Sequence, residues 1–419
     1  MALAVPPDTL SQLLDTAARE LRDLDARGLR RRLTTIQAVD GPRVQLDGRW
    51  VTSWCSNDYL GLSQHPRLIA AAAEAAARWG IGARASRLLG GSTDVHAQLE
   101  LALAHWHGAQ AALVFSSGYL ANAGALGVLL SAEDLVLVDR LAHASLLDAV
   151  RATRARLRVF RHNDVEHIRR LLAAGSGGRR RVIVTEGVFS MDGDPAPLEA
   201  LCGVAEQHDA LVYLDDAHGA FILGDRGRGS AEGLVASGCL LYMGTLGKAL
   251  GCQGGFVAGP RAWIDLLTTR ARTFIYATAL AVPVAAAAVA ALAMLDEDPS
   301  PVARLRARAG QLAAGLMSLA GQHPDVGFPG AGLPAAPNGK STGAAQAGRP
   351  GHLVPVVVGE AQDAVRVADR LLASGHWAPA IRPPTVPRGT ARLRLSVTAG
   401  HTEADIQSLV DALDQALKS

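Results

Sequence analysis

The clearest signal of fold in this sequence is the segment ALVYLDDAHG at residues 210–219. Its first part, Ala210 to Leu214, is apolar throughout, and the acidic Asp215 follows it directly. An uninterrupted apolar run of this length is typical of a strand buried on both faces, as in a parallel sheet. Open α/β sheets bind their ligands at the carboxyl ends of such strands. The segment therefore predicts an α/β fold and places Asp215 at a ligand-binding edge.

Further short β-type runs show the same arrangement, with helical spacing between them and a polar or glycine residue after each. These runs are Ala111 to Phe115, Asp134 to Val138, Arg158 to Phe160, Arg181 to Thr185, Leu240 to Met243 and Gly255 to Ala258. Strands that alternate with helices in this way form mostly parallel sheets covered by helices on both faces. We therefore predict a large α/β unit with such a central sheet.

The rest of the chain predicts two smaller parts around this unit. We assign residues 1–48 to an N-terminal arm with an amphipathic helix, residues 49–285 to the large domain, and residues 286–419 to a smaller α+β domain. The stretch from Phe328 to His352 is rich in glycine, alanine and proline. Such a composition predicts a long mobile loop inside the smaller domain.

The composition narrows the class of protein. The 419 residues carry 41 Lys and Arg against 39 Asp and Glu, a net charge of +2 that argues against a nucleic-acid binder. The four cysteines form no CxxC pair, which argues against a metal site and favours a reducing compartment. Neither a basic leader nor a long apolar segment is evident. We expect a cytoplasmic enzyme without a metal and without a membrane segment.

The strand ends carry the residues with chemical potential. Lys248 follows the run Leu240 to Met243 in a cramped, glycine-lined turn, where poor solvation would lower its pKa and make it nucleophilic. A surface lysine that caps a turn explains Lys248 equally well on this motif alone, and Asp215 can belong to a solvated acidic turn. Together, however, the two residues meet the demands of a pyridoxal 5'-phosphate site, which needs a Schiff-base lysine and a carboxylate for the ring nitrogen.

The same cofactor needs a phosphate site and a group over its ring. Residues 116–119, Ser-Ser-Gly-Tyr, follow the run Ala111 to Phe115 and predict a helix N-terminus, which binds phosphate through its N–H groups. Ser190 and Thr245 supply hydroxyl donors for the phosphate. His143 is a candidate to lie over the ring, although a lone histidine is more often structural.

From about Leu29 to the C-terminus, the sequence resembles a known family. This family is the α-oxoamine synthases, which belong to the fold-type I pyridoxal phosphate enzymes. One late segment, at residues 380–395, resembles the branch that condenses L-alanine with a pimeloyl thioester in biotin biosynthesis. The motifs that carry the family resemblance are residues 56–62 (SNDYLGL), 139–147 (DRLAHASLL), 185–194 (TEGVFSMDGD) and 215–219 (DDAHG).

The resemblance implies a role for each matching residue. Lys248 would form the Schiff base, Asp215 would hold the ring nitrogen, His218 would bond the ring hydroxyl, and His143 would stack on the ring and touch substrate. The implied cofactor contacts are Ser117, Gly118, Tyr119, His143, Ser190, Asp215, His218, Thr245, Lys248 and Thr278. The implied substrate contacts are Arg30, Asn57, His143, Glu186, Thr385 and Arg394, of which Arg394 would grip the amino-acid carboxylate.

The resemblance also implies a homodimer with shared active sites, in which Thr278 reaches the cofactor phosphate of the neighbouring subunit. The acyl carrier, coenzyme A or a carrier protein, is left open. The glycine-rich segment at residues 80–91 carries Arg84 and Arg87 and looks closer to the 2-amino-3-ketobutyrate ligases, which use glycine and a shorter acyl-CoA. That activity is the alternative. An aminotransferase, a threonine aldolase or a cofactor-free scaffold on the same fold would show no dependence on a thioester.

Overall fold

The computed structural model describes residues 7–174, 179–329 and 351–418. The strands are β1 (Ala38–Asp40), β2 (Arg43–Leu46), β3 (Arg49–Ser53), β4 (Ala111–Phe115), β5 (Leu135–Asp139), β6 (Arg156–Phe160), β7 (Arg181–Glu186), β8 (Ala210–Asp215), β9 (Leu240–Thr245), β10 (Gly255–Gly259), β11 (Leu353–Gly359), β12 (His376–Trp377), β13 (Ala380–Ile381) and β14 (Ala391–Ser396).

The α-helices lie mainly between these strands. They are α1 (Pro7–Ala26), α2 (Pro66–Trp79), α3 (Asp94–His107), α4 (Gly118–Leu129), α5 (Ala144–Ala152), α6 (Val165–Ala174), α7 (Leu198–Gln207), α8 (Arg261–Arg270), α9 (Arg272–Ile275), α10 (Val282–Glu297), α11 (Ser300–Ala320), α12 (Ala361–Ala373) and α13 (Glu403–Leu417). Among the described residues, no helix is long and apolar enough to cross a membrane.

A seven-stranded sheet forms the centre of the molecule, in the order β4-β10-β9-β8-β7-β5-β6. β10 runs antiparallel to both of its neighbours, and the pairs β9-β8, β8-β7, β7-β5 and β5-β6 are parallel. The predicted mostly parallel α/β sheet is therefore confirmed. Several strands extend one or two residues further than the sequence predicted, so that Asp139, Glu186, Asp215 and Thr245 are the last residues of their strands.

The apolar runs are uninterrupted because the central sheet is buried on both faces. In β7, Val182 and Val184 pack in the core on one face, whereas Ile183 packs in the core on the other. Successive side chains of a strand point to opposite faces, so a strand between two cores needs an apolar residue at every position.

Two smaller sheets flank this centre. The strands β1, β2 and β3 form one sheet with β12, which pairs in parallel with β3. The sequence did not predict these N-terminal strands, because their short, partly exposed runs lack the apolar continuity of the central sheet. The strands β11, β14 and β13 form the other sheet. The division at residues 48 and 285 stays a prediction, and residues 330–350 of the proposed 328–352 loop lie outside the described residues.

A buried histidine fixes the loop at residues 187–195 against the central sheet. The His162 ring lies 2.9 Å from a carboxylate oxygen of Asp139 and 2.6 Å from one of Asp194. Burial by itself lowers the pKa of His162, but hydrogen bonds and charge from the two carboxylates together raise it to about 9. The imidazolium thus joins the ends of β5 and β6 to the loop that contains Ser190.

Replacing this histidine should lower stability in a pH-dependent manner. We expect His162→Gln to cost about 3–5 kcal/mol of unfolding free energy near neutral pH, since it leaves two carboxylates without their buried cation. A raised histidine pKa stabilises the fold fully below its ordinary value and loses that contribution as the pH rises through about 9. Urea unfolding should therefore show the two proteins converging at high pH. The exposed His105→Gln is the control, and a pH-independent difference would contradict the raised pKa.

Candidate active site

The carboxyl ends of β7, β8 and β9 bring the predicted reactive residues together. Glu186 and Asp215 are register partners at the ends of β7 and β8, and Asp215 is paired in turn with Met243 of β9. Lys248 follows β9 after a short turn. The parallel order of the strands is therefore what gathers side chains that are far apart in sequence.

Lys248 lies against a second predicted residue. Its Nζ is 2.8 Å from Nε2 of His218. Burial lowers the pKa of Lys248 to about 8, although the negative charges of Asp215 and Glu186 oppose that shift. Burial, followed by the positive charge of Lys248 and Arg394, lowers the pKa of His218 well below its ordinary value. The site therefore holds a neutral imidazole beside an amine that deprotonates close to physiological pH.

A chain of hydrogen bonds leads from His218 to Arg394. The Tyr59 hydroxyl lies 2.7 Å from His218 Nδ1 and donates to Asn57 Oδ1 at 3.1 Å. Arg394 donates to the same Asn57 oxygen at 3.0 Å. Burial raises the pKa of Tyr59, so its hydroxyl stays protonated. The predicted substrate residues Asn57 and Arg394 thus lie one tyrosine away from the predicted cofactor residue His218.

The Asp215 carboxylate is buried and held by donors on two sides. Asn122 Nδ2 donates to its Oδ2 at 2.7 Å, and the backbone N–H of Ala217 donates to its Oδ1 at 3.0 Å. Asn122 Oδ1 accepts in turn from the Tyr213 hydroxyl at 2.8 Å. Both carboxylate oxygens are therefore hydrogen-bonded, as buried polar groups generally are. The sequence interpretation missed Asn122, whose signal was an amide inside the otherwise apolar helix α4.

His143 and Glu186 form a neighbouring pair. His143 is exposed, whereas Glu186 is buried. The backbone N–H of His143 donates to Glu186 Oε1 at 2.6 Å, and the ring Nδ1 lies 2.8 Å from the Ser145 hydroxyl. Burial, followed by the charge of Asp215, raises the pKa of Glu186 well above its ordinary value. The imidazole of His143 is thus anchored along one edge while the rest remains open to a ligand.

The N-terminus of α4 provides the predicted anion site. Ser117 caps the helix by accepting from the Leu120 N–H at 3.2 Å, and the helix begins at Gly118. A β-carbon on Gly255 of β10 would come within 2.6 Å of the Gly118 α-carbon, so only glycine lets the sheet approach this close. The Thr245 hydroxyl donates to the Gly254 carbonyl at 2.8 Å in the adjacent turn. Free N–H groups at a helix N-terminus suit a phosphate.

Other predicted residues lie at the edge of this arrangement or away from it. Arg30 pairs with Asp25 at 2.5 Å, and it is Arg31 that donates to the Thr385 hydroxyl, at 3.0 Å. The structure therefore links the N-terminal arm to the Thr385 segment without joining Arg30 to Arg394. Three further residues are only partly buried or exposed, and they are Tyr119, Ser190 and Thr278.

Asp216 was also missed, because its pair Asp215 explained the acidic turn. Asp216 is fully buried, and it accepts from the Ser230 N–H at 2.8 Å, the Ser230 hydroxyl at 2.7 Å and the Tyr242 hydroxyl at 2.7 Å. Burial raises its pKa to about 6. Asp216 thereby ties the segment that carries His218 to β9, and so helps to hold His218 in place.

The arginines of the segment at residues 80–91 have different surroundings. Arg87 donates to both carboxylate oxygens of Glu100, at 2.8 and 3.0 Å, and Glu100 also accepts from the Val114 N–H. Arg84 is exposed. The guanidinium of Arg87 is therefore engaged in joining this segment to α3 and β4, which gives it a role within the fold.

Comparisons with known proteins agree with this geometry. The family described as aminotransferase class I and II matches residues 49–413. The chain belongs to this family. It is 46% identical over 406 residues to an 8-amino-7-oxononanoate synthase of Anaeromyxobacter, covering 97% of this chain and 96% of that one. It is 45% identical to the enzyme of the same name from Geobacter sulfurreducens, covering 94% and 96% of the two chains.

A solved structure extends the likeness to an enzyme of a different name. A serine palmitoyltransferase variant from S. paucimobilis, solved with a bound PLP–myriocin aldimine, superimposes with a TM-score of 0.85. The two chains are 29% identical, and the match covers 97% of each. The fold-type I architecture and the family resemblance predicted from the motifs are therefore confirmed.

The lowered pKa of Lys248 is directly measurable. The chain has only three lysines, Lys248, Lys340 and Lys418. Competitive acetylation of the full chain, followed by peptide mass spectrometry, should give a Lys248 reaction rate that rises with a midpoint near pH 8, because the neutral amine is the reactive form. Lys248→Arg identifies the peptide. A midpoint near the ordinary lysine value of 10.5 would show that the amine is not desolvated as described.

Proposed function

We propose that the chain catalyses the decarboxylative condensation of L-alanine with a pimeloyl thioester, a step of biotin biosynthesis. The products are 8-amino-7-oxononanoate, CO2 and a free thiol. The supporting observation is the convergence of an amine of lowered pKa, a buried carboxylate and a guanidinium at one sheet edge. The chain that carries these residues is 46% identical to a protein named 8-amino-7-oxononanoate synthase.

The residues present fit pyridoxal 5'-phosphate. The buried Asp215 carboxylate suits the protonated ring nitrogen, the neutral His218 suits the ring hydroxyl, and the exposed His143 suits the ring face. Ser117, Gly118 and Tyr119 at the start of α4, with Ser190 and Thr245, would hold the phosphate. When bound, the cofactor supplies the electron sink that makes negative charge at the alanine Cα accessible.

Arg394 orients the amino acid. Its side chain is partly buried and donates to Asn57 Oδ1 at 3.0 Å, so a carboxylate that binds here meets a guanidinium already held in place. An arginine can hold a carboxylate with two parallel hydrogen bonds, which fixes orientation as well as position. That geometry holds the bond to the departing CO2 in one direction while Cα faces Lys248.

Lys248 moves the proton. With a pKa near 8, Nζ takes up the Cα proton of alanine and returns a proton to the same carbon of the product. Between these two transfers, a bond forms from Cα to the thioester carbonyl carbon, the C–S bond breaks, and the alanine carboxylate leaves as CO2. The Asp215 charge near Nζ, together with that of Glu186 when ionised, stabilises the ammonium form during this interval.

We also propose a homodimer with shared active sites. Ile81, Leu89 and Tyr276 are each more than two-thirds exposed, at 78%, 81% and 72%. Their segments adjoin, since the Ala279 N–H donates to the Ala85 carbonyl at 3.1 Å. Exposed apolar side chains gathered in this way are typical of a protein–protein interface. Thr278 lies in the same segment, so a second copy seated here would place that residue beside the partner's site.

A panel of thioesters tests the reaction. Release of free thiol should require L-alanine together with a pimeloyl thioester, and should be at least about tenfold slower with glycine or with acetyl or succinyl thioesters. Pimeloyl-coenzyme A and pimeloyl carrier protein are compared in parallel to identify the carrier. A preference for glycine with a short acyl donor would replace this proposal by the ligase alternative. Turnover without any thioester would point to an aminotransferase or aldolase.

The role of Arg394 has its own test. We expect Arg394→Ala to raise the KM for L-alanine about 10–100-fold, because a hydrogen bond to a charged group is worth about 1.5–3 kcal/mol. The affinity for pyridoxal 5'-phosphate, followed by absorbance, should stay within about threefold of wild type, which corresponds to a difference of about 0.6 kcal/mol in binding free energy. Arg366→Ala on the exposed face of α12 is the control. An unchanged KM in the Arg394 variant would remove this residue from the substrate site.

A further inference from the structure

Four side chains of the site form a continuous hydrogen-bonded line. In order, they are Asp215, Asn122, Ser145 and His143. Asn122 Nδ2 donates to Asp215 Oδ2 at 2.7 Å and to the Ser145 hydroxyl at 2.9 Å. The Ser145 hydroxyl lies 2.8 Å from Nδ1 of His143. The line therefore connects the carboxylate proposed for the edge of the cofactor ring with the imidazole proposed for its face.

The direction of the hydrogen bonds in this line follows from the donors available. An ionised carboxylate only accepts, so the amide nitrogen of Asn122, and not its oxygen, faces Asp215. The amide oxygen faces the Tyr213 hydroxyl, which donates to it at 2.8 Å. Both hydrogens of Nδ2 are then assigned, one to Asp215 and one to Ser145. The Ser145 oxygen consequently acts as an acceptor toward Asn122.

The same reasoning settles the tautomer of His143. The single hydrogen of the Ser145 hydroxyl is free to be donated to His143 Nδ1, since the oxygen already accepts from Asn122. The backbone N–H of Ser145 also points to Nδ1, at 3.3 Å, and an N–H can only donate. Nδ1 is therefore an acceptor, and the ring hydrogen of the neutral imidazole lies on Nε2.

Burial prevents water from replacing the hydrogen bonds of the inner residues. Asn122 and Ser145 are each 1% exposed, and Tyr213 is fully buried. A buried polar group that loses its partner is costly to leave unsatisfied, and neither Asn122 nor Ser145 has solvent to replace a missing donor. His143, by contrast, is exposed. The buried residues Asn122 and Ser145 thus set the hydrogen bonding of the exposed His143.

We propose that Asn122 is a positioning residue that acts through Ser145 to hold His143 with its hydrogen on Nε2, so that the histidine presents a hydrogen-bond donor to the substrate. This inference rests on the proposed function for the identity of that substrate. A donor at Nε2 matches the oxygens of a carboxylate or a thioester carbonyl, whereas an unprotonated Nε2 would repel them. Asn122 itself is buried, and both hydrogens of its Nδ2 are engaged by Asp215 and Ser145.

The tautomer is measured in the full chain without added ligand, labelled with ¹⁵N in its histidine rings. His143→Gln identifies the His143 signals. Wild type should show Nε2 protonated and Nδ1 unprotonated. In Ser145→Ala only the longer backbone N–H contact, at 3.3 Å, remains at Nδ1, so the signals should shift towards a mixture of the two neutral tautomers. Ser408→Ala is the matched control, because Ser408 bonds another histidine, His376, at 3.1 Å, and it should leave His143 unchanged.

A second variant tests the amide without a change of volume. Asn122→Asp cannot donate to Asp215 and Ser145 at the same time, because a carboxyl group carries at most one hydrogen, and it places a second carboxyl group against Asp215. We expect the same mixture of His143 tautomers and at least a tenfold loss of affinity for pyridoxal 5'-phosphate, followed by absorbance. Ser145→Ala should keep that affinity within threefold, because it leaves the Asn122–Asp215 bond in place, while kcat for thiol release falls at least tenfold.

These outcomes separate the inference from the reaction on which it rests. Protonation at Nδ1 in wild type, or an unchanged tautomer in both variants, would overturn the positioning role even if the thioester assay succeeds. Conversely, a failed thioester assay would overturn the proposed reaction while leaving the ¹⁵N result to stand. A fall in activity without a change of tautomer would show that the line is only structural.

Discussion

The site depends on two opposing influences on the Lys248 amine. Burial favours its neutral form, and two nearby carboxylates favour its protonated form. Burial lowers the pKa of this lysine, while Asp215 and Glu186 raise it, and the balance lies near 8. A fully solvated lysine would stay protonated at neutral pH, and one buried without carboxylates would be largely deprotonated there. Keeping the balance requires strands whose ends are adjacent, which is what the parallel order of β7, β8 and β9 provides.

Arg394, whose positive charge helps to lower the pKa of this amine, comes from the C-terminal part of the chain, so its position depends on how that part is attached. On β14, Arg392 is buried, and it pairs with Asp192 at 2.7 Å and with the Met191 carbonyl at 3.0 Å. Arg394 lies two residues further on the same face of the strand. The loop at residues 187–195 that holds Arg392 is itself anchored by His162. Two ion pairs that do no chemistry therefore set the place of the arginine proposed to bind substrate.

The sequence was informative where a single element determines the outcome, and silent where contacts join distant elements. Apolar continuity predicted the central strands to within about two residues at most ends, since burial on both faces is a local demand. Asp215 and Lys248 could be placed for the same reason. The amide of Asn122 stands out in an apolar helix, but its role was not recognised, because its partners Tyr213 and Ser145 come from other elements. Likewise, nothing local to Arg87 reveals its pairing with Glu100.

The use of cations in the chain carries a final implication. Of the 41 basic residues, three are lysines, so 41 − 3 = 38 are arginines. Arginine stays protonated under all physiological conditions and binds carboxylates with a rigid fork, which suits Arg87, Arg392 and Arg394. It cannot release a proton, and so cannot serve where a neutral amine is needed. In a chain that strongly prefers arginine, Lys248 stands where the proposed proton transfer needs a group that can release a proton, and an exchange of Lys248 with Arg394 would disable both positions.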